Sequence, residues 1–302
     1  MEKRFAIGMD VGGSHITAAI IDINEMKIIE ESVSKVSFNS NLSVSMVMDY
    51  WENIIRSLCE KLKVEKLSGI AMAIPGPFDY EKGTFWIKDQ NKYDNFYGLN
   101  IKDLLRERFN FEQNFPIVSD NDATSFGKGE VYKDPKNLTK RVMAITLGTG
   151  LGGCFVENGK VINKGNNVPE NGEIWNLPYK NGIAEDAVSL RGLLANYKNL
   201  SGNQLNEGID LYNLAYEGDE KAIEAFSKFG EDLAEVVIPC LKNFNADMLV
   251  IGGKLANAGD LFLNAFEEKA KNAGIKIEVA ISTDNETSAL LGVATLLNAV
   301  NV

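Results

Sequence analysis

Histidine is almost missing from this chain: of 302 residues, only His15 carries an imidazole. That argues against a zinc centre built on several histidines, and against any mechanism needing a histidine pair. Cysteine is scarce too. Cys59, Cys154 and Cys240 form no C-x-x-C pair and their number is odd, which points to reduced thiols rather than a disulfide framework. No apolar run approaches the ~20 residues of a bilayer span. The longest weakly polar tract, residues 288–300, falls well short. The apolar stretch before Asp10 is too short for a secretory signal. Linkers rich in Pro, Gly or Ser are lacking, as are low-complexity segments. The expectation is a soluble, cytoplasmic protein with room for two domains.

Positive charge is also in short supply. Lys and Arg number 31 against 42 Asp and Glu, a net charge of −11. An acidic surface repels a phosphate backbone, so nucleic-acid and anionic-membrane partners are disfavoured. A small phosphorylated ligand stays open, because backbone N–H groups and a bound cation can hold phosphate locally.

What is present alternates between strand and helix patterns, which predicts an α/β architecture. Residues 4–9 and 16–21 read as two strands around a glycine-containing turn, and residues 26–36 as a third strand. Helical spacing covers 43–63 and 100–109, with apolar strands at 67–74 and 116–119. The pattern then restarts, with strands at 141–147 and 154–161 around a second glycine turn. At one constant offset Ala6 falls on Ala144, Ile7 on Ile145, Met9 on Leu147 and Gly12 on Gly150. Either the unit is duplicated, or two ordinary buried hairpins coincide. Helices are expected at 185–198, 208–216, 219–244, 260–273 and 286–300, with strands at 247–251 and 276–281.

Four constellations carry candidate chemistry. Asp10-Val11-Gly12-Gly13-Ser14 ends a buried strand with a carboxylate and two glycines. It suits a phosphate turn in which Asp10 holds Mg²⁺ directly or through water, and equally a plain hairpin. Gly148-Thr149-Gly150-Leu151-Gly152-Gly153 has four glycines in six residues. No Gly-Lys-Ser/Thr follows, so it is not a P-loop. Asp120-Asn121-Asp122-Ala123 reads either as a helix cap or as a carboxylate and amide that handle a hydroxyl proton. Gly252-Gly253 either admits a nucleotide or simply ends a strand.

Taken in order, and with Ala73-Ile74-Pro75-Gly76-Pro77, these elements resemble the ROK family of sugar kinases, within the actin/hexokinase/Hsp70 superfamily. The resemblance spans nearly the whole chain. It implies a two-domain, actin-like (ribonuclease H-like) α/β fold with a cleft between duplicated domains. The expected domains are residues 1–122, completed by the helix at about 288–302, and residues 123–287. It implies ATP and Mg²⁺ as cofactors. Asp10, Gly12, Gly13, Ser14, Gly148, Thr149 and Gly150 would face the phosphates, with Mg²⁺ at Asp10 through ATP, and Gly252 and Gly253 would lie near adenosine. Gly76, Asn91, Asn121, Asp122, Glu173 and Glu185 would line the sugar site. Asp122 would deprotonate the acceptor, usually a 6-hydroxyl. A homodimer is implied as well.

One segment departs from the pattern. The family usually has Gly-His after Gly172-Glu173-Ile174, and a cysteine cluster beyond it, to bind zinc. Here Trp175-Asn176 follows, and residues 177–184 hold no cysteine. No zinc site is expected, and Asn176 stands where the usual sugar-binding histidine would. A sugar sensor acting through a protein partner is the alternative to a kinase. A preceding DNA-binding domain is not expected, since Asp10 stands so near the start.

Overall fold

The first apolar runs form an antiparallel hairpin in the computed structural model, which describes residues 4–300 and the side chains of residues 4–298. Strands β1 (Phe5–Val11) and β2 (His15–Asp22) pair with Asp10 opposite Thr17. The expected third strand is two short ones, β3 (Lys27–Ile28) and β4 (Ser34–Ser37), separated by a 3₁₀ turn. Ser32 causes the break. Its buried hydroxyl accepts the Ile20 N–H at 2.8 Å and donates to the Ile29 carbonyl, replacing strand pairing there.

Helix α1 (Val44–Lys61) follows, capped by Ser43, and buries Trp51, Ile54 and Leu58 against the sheet. Strand β5 (Ile70–Ile74) is buried along its whole length and runs parallel to β1. A small hairpin, β6 (Phe78–Asp79) and β7 (Thr84–Phe85), precedes α2 (Ile101–Phe109). Strand β8 (Ile117–Asn121) pairs parallel to β5 and runs into α3 (Asp122–Lys133). The sheet order is β3-β2-β1-β5-β8, with β4 beside β2. A fully apolar strand such as β5 needs cover on both faces. α1 covers one, and the final helix, with Leu290, Val293 and Leu297, covers the other.

The second half opens with β9 (Arg141–Leu147) and β10 (Leu151–Glu157), then β11 (Lys160–Val161). The expected strand 154–161 is thus split by a tight turn at Asn158-Gly159, both with positive φ. A further hairpin, β12 (Pro178–Tyr179) and β13 (Gly182–Ile183), leads into α4 (Ala184–Ala187) and α5 (Leu190–Ser201). The expected single helix over 185–198 breaks because Ser189 starts a new one, its hydroxyl accepting the Gly192 N–H. Then come α6 (Gly208–Tyr216), α7 (Glu220–Phe244), β14 (Met248–Gly252), α8 (Gly259–Asn272), β15 (Glu278–Ile281) and α9 (Asn285–Val300). The sheet order β11-β10-β9-β14-β15 repeats the plan of the first sheet: a hairpin, then two parallel strands.

The chain divides into two compact units, Met1–Lys133 with Glu286–Val302, and Asp134–Asn285. The divide falls after α3 rather than before it, because α3 packs on α9. A side chain on Gly129 would start 1.8 Å from the Ser288 carbonyl oxygen, so the two backbones touch there. No helix among the described residues is long and apolar enough to cross a membrane.

Candidate active site

In the first unit, the candidate residues gather at the carboxyl ends of β1, β5 and β8. Asp10 is the penultimate residue of β1, and Asp122 opens α3 directly after β8. Burial and the nearby carboxylates of Asp122 and Glu286 push the Asp10 carboxyl up to about 8. Burial also raises Asp122, partly offset by the Ala123 N–H, which donates to its Oδ1 at 2.9 Å, and by the positive charge of Lys92. Asp120 is raised by burial as well, against the Asn121 N–H.

Asn121 is held at both ends of its amide. Its Oδ1 accepts the Thr124 N–H at 3.1 Å, capping α3, and its Nδ2 donates to Tyr80 Oη at 3.3 Å. The capping reading of this motif therefore holds, and it coexists with a buried carboxylate at the next position. Tyr80 in turn donates to the Ile74 carbonyl at 3.1 Å, and its Oη lies 3.5 Å from where a Gly76 side chain would begin. Gly76 and Asn121 thus share Tyr80 as a neighbour. Asn91 is exposed on a loop, with the Asn41 amide donating to its carbonyl and its Oδ1.

The turn Gly12-Gly13-Ser14 is closed by the Gly12 N–H donating to the His15 carbonyl at 3.0 Å. Tyr93 Oη donates to the Gly12 carbonyl at 2.7 Å. His15 is not simply a surface residue. It is half-buried and its Nε2 lies 3.3 Å from the Glu286 carboxylate. Burial would raise Glu286, but hydrogen bonds from Lys35 and Thr17, with the charges of Lys35 and His15, bring it below the usual range.

In the second unit the glycine turn is braced from within. The Gly148 N–H donates to the Gly150 carbonyl at 3.0 Å, and the Leu190 N–H donates to the Gly148 carbonyl at 2.8 Å. Glu185 sits under the turn, its Oε2 accepting the Leu151 N–H at 3.0 Å. Glu173 lies in the preceding loop, where Trp175 Nε1 donates to it at 3.2 Å, and the Trp175 carbonyl accepts the Glu185 N–H. Gly253 has φ of +88°, and a side chain there would begin 2.2 Å from the Leu147 carbonyl oxygen. It is required for packing whatever it binds. A cavity of about 400 Å³ opens beside Thr149, walled by Leu190, Arg191, Leu194, Lys198 and Asn206.

Sequence reasoning missed Tyr80, Tyr93, Lys92 and Glu286. The loop residues carry no periodic signal, and Glu286 meets Thr17 only through the fold. Among the described residues, no three His, Cys, Asp or Glu side chains converge to hold a metal ion. Asp10 nevertheless fits a shared Mg²⁺. It is a partly buried carboxylate crowded by those of Asp122 and Glu286, and a cation with phosphate and water as further ligands would relieve that crowding.

The sequence that folds into this arrangement matches a known family. The profile described as ROK family covers residues 6–299. The chain belongs to the ROK family. Relatives that it resembles include named enzymes. The glucokinase of Halalkalibacterium halodurans is 26% identical over 89% of this chain and 86% of its own. The N-acetyl-D-glucosamine kinase of Haemophilus influenzae is 27% identical over 84% and 86%. A ROK family glucokinase from Streptomyces griseus, solved with glucose and AMPPNP, superposes with a TM-score of 0.73 at 20% identity, over 98% of this chain and 99% of its own. The last likeness establishes the α/β fold shared with ROK structures.

Proposed function

We propose that this ROK protein is an ATP-dependent kinase of a hexose or hexose derivative, with Asp122 as general base and the 6-hydroxyl as acceptor. The observation that carries the reading is the partly buried Asp122 carboxylate at the head of α3, near Asp10 at the first glycine turn. Burial raises its affinity for a proton, which suits a group that must take one from a hydroxyl.

Phosphoryl transfer asks mainly for positioning and for neutralised charge. In the first unit, the backbone N–H groups of Gly13 and Ser14 are offered to phosphate, and Gly76, Asn91 and Asn121 flank the sugar. In the second, Gly148, Thr149 and Gly150 hold phosphate. The cavity beside Thr149 suits the nucleoside, with leucine walls for the base and Asn206 for polar contacts. Mg²⁺, when bound, would neutralise the phosphates from Asp10. Within the second unit, Glu173 and Glu185 are the proposed sugar ligands, Glu185 from beside the turn that it already braces. The relatives' names support a hexose or N-acetylhexosamine acceptor.

The test is coupled ADP release with Mg-ATP across hexoses, N-acetylhexosamines and disaccharides, run beside Asp122→Asn. Sugar-dependent release that the variant loses supports the kinase. No turnover on any sugar, with ligand still raising the melting temperature, would make the chain a binding protein instead.

A further inference from the structure

Lys92 sits in a segment that the first hairpin holds in place. Asp89, Asn91 and Tyr93 all have positive φ, at 56°, 56° and 53°, so alternate residues of the loop turn sharply. Tyr93 is fully buried and bonded to the Gly12 carbonyl, and Asn91 is held by Asn41. Between these anchors the Lys92 side chain lies along Gly13. Its Cβ and Cδ stand 3.4 and 3.6 Å from where a Gly13 side chain would begin. Among the described residues, no hydrogen bond or ion pair holds its ammonium group.

The charges near the first glycine turn and Asp122 come from several elements. Asp10 lies on β1, Asp122 on α3 and Glu286 on α9, with His15 on β2 and Lys35 on β4. Lys35 and His15 are both committed to Glu286. Lys92 is the cation whose field acts on Asp122. A long, half-buried side chain threaded past a phosphate turn, with no partner of its own, is placed for a ligand.

We propose that Lys92 is a further catalytic residue of the transfer, contacting the phosphoryl group as it passes between the Gly12–Gly13 turn and Asp122. This rests on the kinase reading above. As the bond from sugar oxygen to γ-phosphorus forms, the bond to the bridging oxygen breaks and its electron pair leaves with ADP. The hydroxyl proton goes to Asp122. Lys92 keeps its own proton and neutralises charge on the equatorial oxygens. Its second effect is to hold Asp122 ionised at lower pH, so that the base is ready.

The experiment compares wild type, Lys92→Ala, Lys92→Arg and Asp122→Asn, using the sugar that gives wild-type turnover. Lys92→Ala should lower kcat roughly 10²–10³-fold, the usual loss when one charge-stabilising group is removed, with sugar KM little changed. Lys92→Arg should recover part of it. The acid limb of kcat/KM should move to higher pH in Lys92→Ala. So should the carboxyl titration of Asp122 followed by NMR in ligand-free protein, which needs no turnover. If Lys92→Ala keeps kcat within about twofold of wild type, or the Asp122 titration stays put, Lys92 has no such role and the kinase reading survives. If the wild type turns over no sugar while Lys92→Ala melts normally, the kinase reading fails and this inference fails with it.

Discussion

Asn121 and Thr124 close the first turn of α3, the side-chain oxygen of one accepting the backbone N–H of the other at 3.1 Å. The same amide donates to Tyr80, so one residue fixes both the helix that begins with Asp122 and the loop behind Gly76. Asn121→Ala should cost about 1 kcal/mol of stability, the usual value of such a cap. It should also lower turnover, because Asp122 loses its support. Asn121→Ser keeps a capping oxygen but is too short to donate to Tyr80. Its melting temperature should stay close to wild type while sugar KM rises. Equal melting losses in the two variants would mean that the cap is not what Asn121 supplies.

Asp122→Asn should cut turnover by roughly 10²–10⁴-fold, the range for removing a general base. The amide fits the same space, and a buried group that disfavours its charge gains by losing it. The melting temperature should therefore hold or rise. Sugar binding measured by calorimetry should remain. Turnover close to wild type would remove Asp122 from the chemistry.

Much of this was legible in the sequence because it is local. The runs around Asp10 and at 141–147 are apolar strands whose turns must be glycine-rich, and they appear as β1-β2 and β9-β10. α7 was readable end to end, since its apolar spacing persists through Pro239. α3 was visible only as a start. Gly129, which depresses helix propensity, is there because α9 presses its backbone against that face. That reason lies more than a hundred and fifty residues away in the chain. Ser32, which breaks the third strand, acts on Ile20 across the sheet, and no periodicity encodes it. At the site, Asp10 and Asp122 were named from their motifs. Glu286, whose charge acts on Asp10, enters only through tertiary folding.

Asp10 makes stability depend on pH. Its carboxyl is pushed from 3.8 to about 8 in the folded chain, by burial first and by Asp122 and Glu286 after it. Between those values the folded protein holds a proton that the unfolded chain has released. The stability that this proton represents is present below the lower value and is lost as pH rises through the upper one. Asp10→Asn should match wild type near pH 4 and melt several degrees higher near pH 9, a gap of roughly a few kcal/mol. Thermal melts across that range provide the check. Parallel curves would mean that Asp10 titrates at its ordinary value.

Gly253→Ala separates packing from binding. With φ at +88° and the Leu147 backbone 2.2 Å from the new carbon, β14 and the end of β9 must move apart. Because Leu147 leads directly into Gly148, the displacement would reach the second glycine turn. A loss of several kcal/mol is expected, since strain and overpacking add. Urea unfolding followed by circular dichroism measures it. Undiminished stability together with a raised ATP KM would mean that Gly253 is kept for the nucleotide alone.

The Glu185 carboxylate accepts the Leu151 N–H and lies 2.6 Å from where a side chain on Gly150 would begin, so besides the sugar role proposed for it, it can serve the turn. Gly150→Ala and Glu185→Gln test this from opposite sides. The alanine would push the carboxylate off Leu151, forfeiting a hydrogen bond to a charged group worth about 1.5–3 kcal/mol. The glutamine keeps an oxygen in place and can retain that bond. If Glu185 serves the turn, Gly150→Ala should raise ATP KM strongly and Glu185→Gln only slightly, with sugar KM following neither. If Glu185 serves the sugar, Glu185→Gln should raise sugar KM by itself and leave ATP KM alone. The two KM values, measured on both variants, decide which ligand this carboxylate answers to.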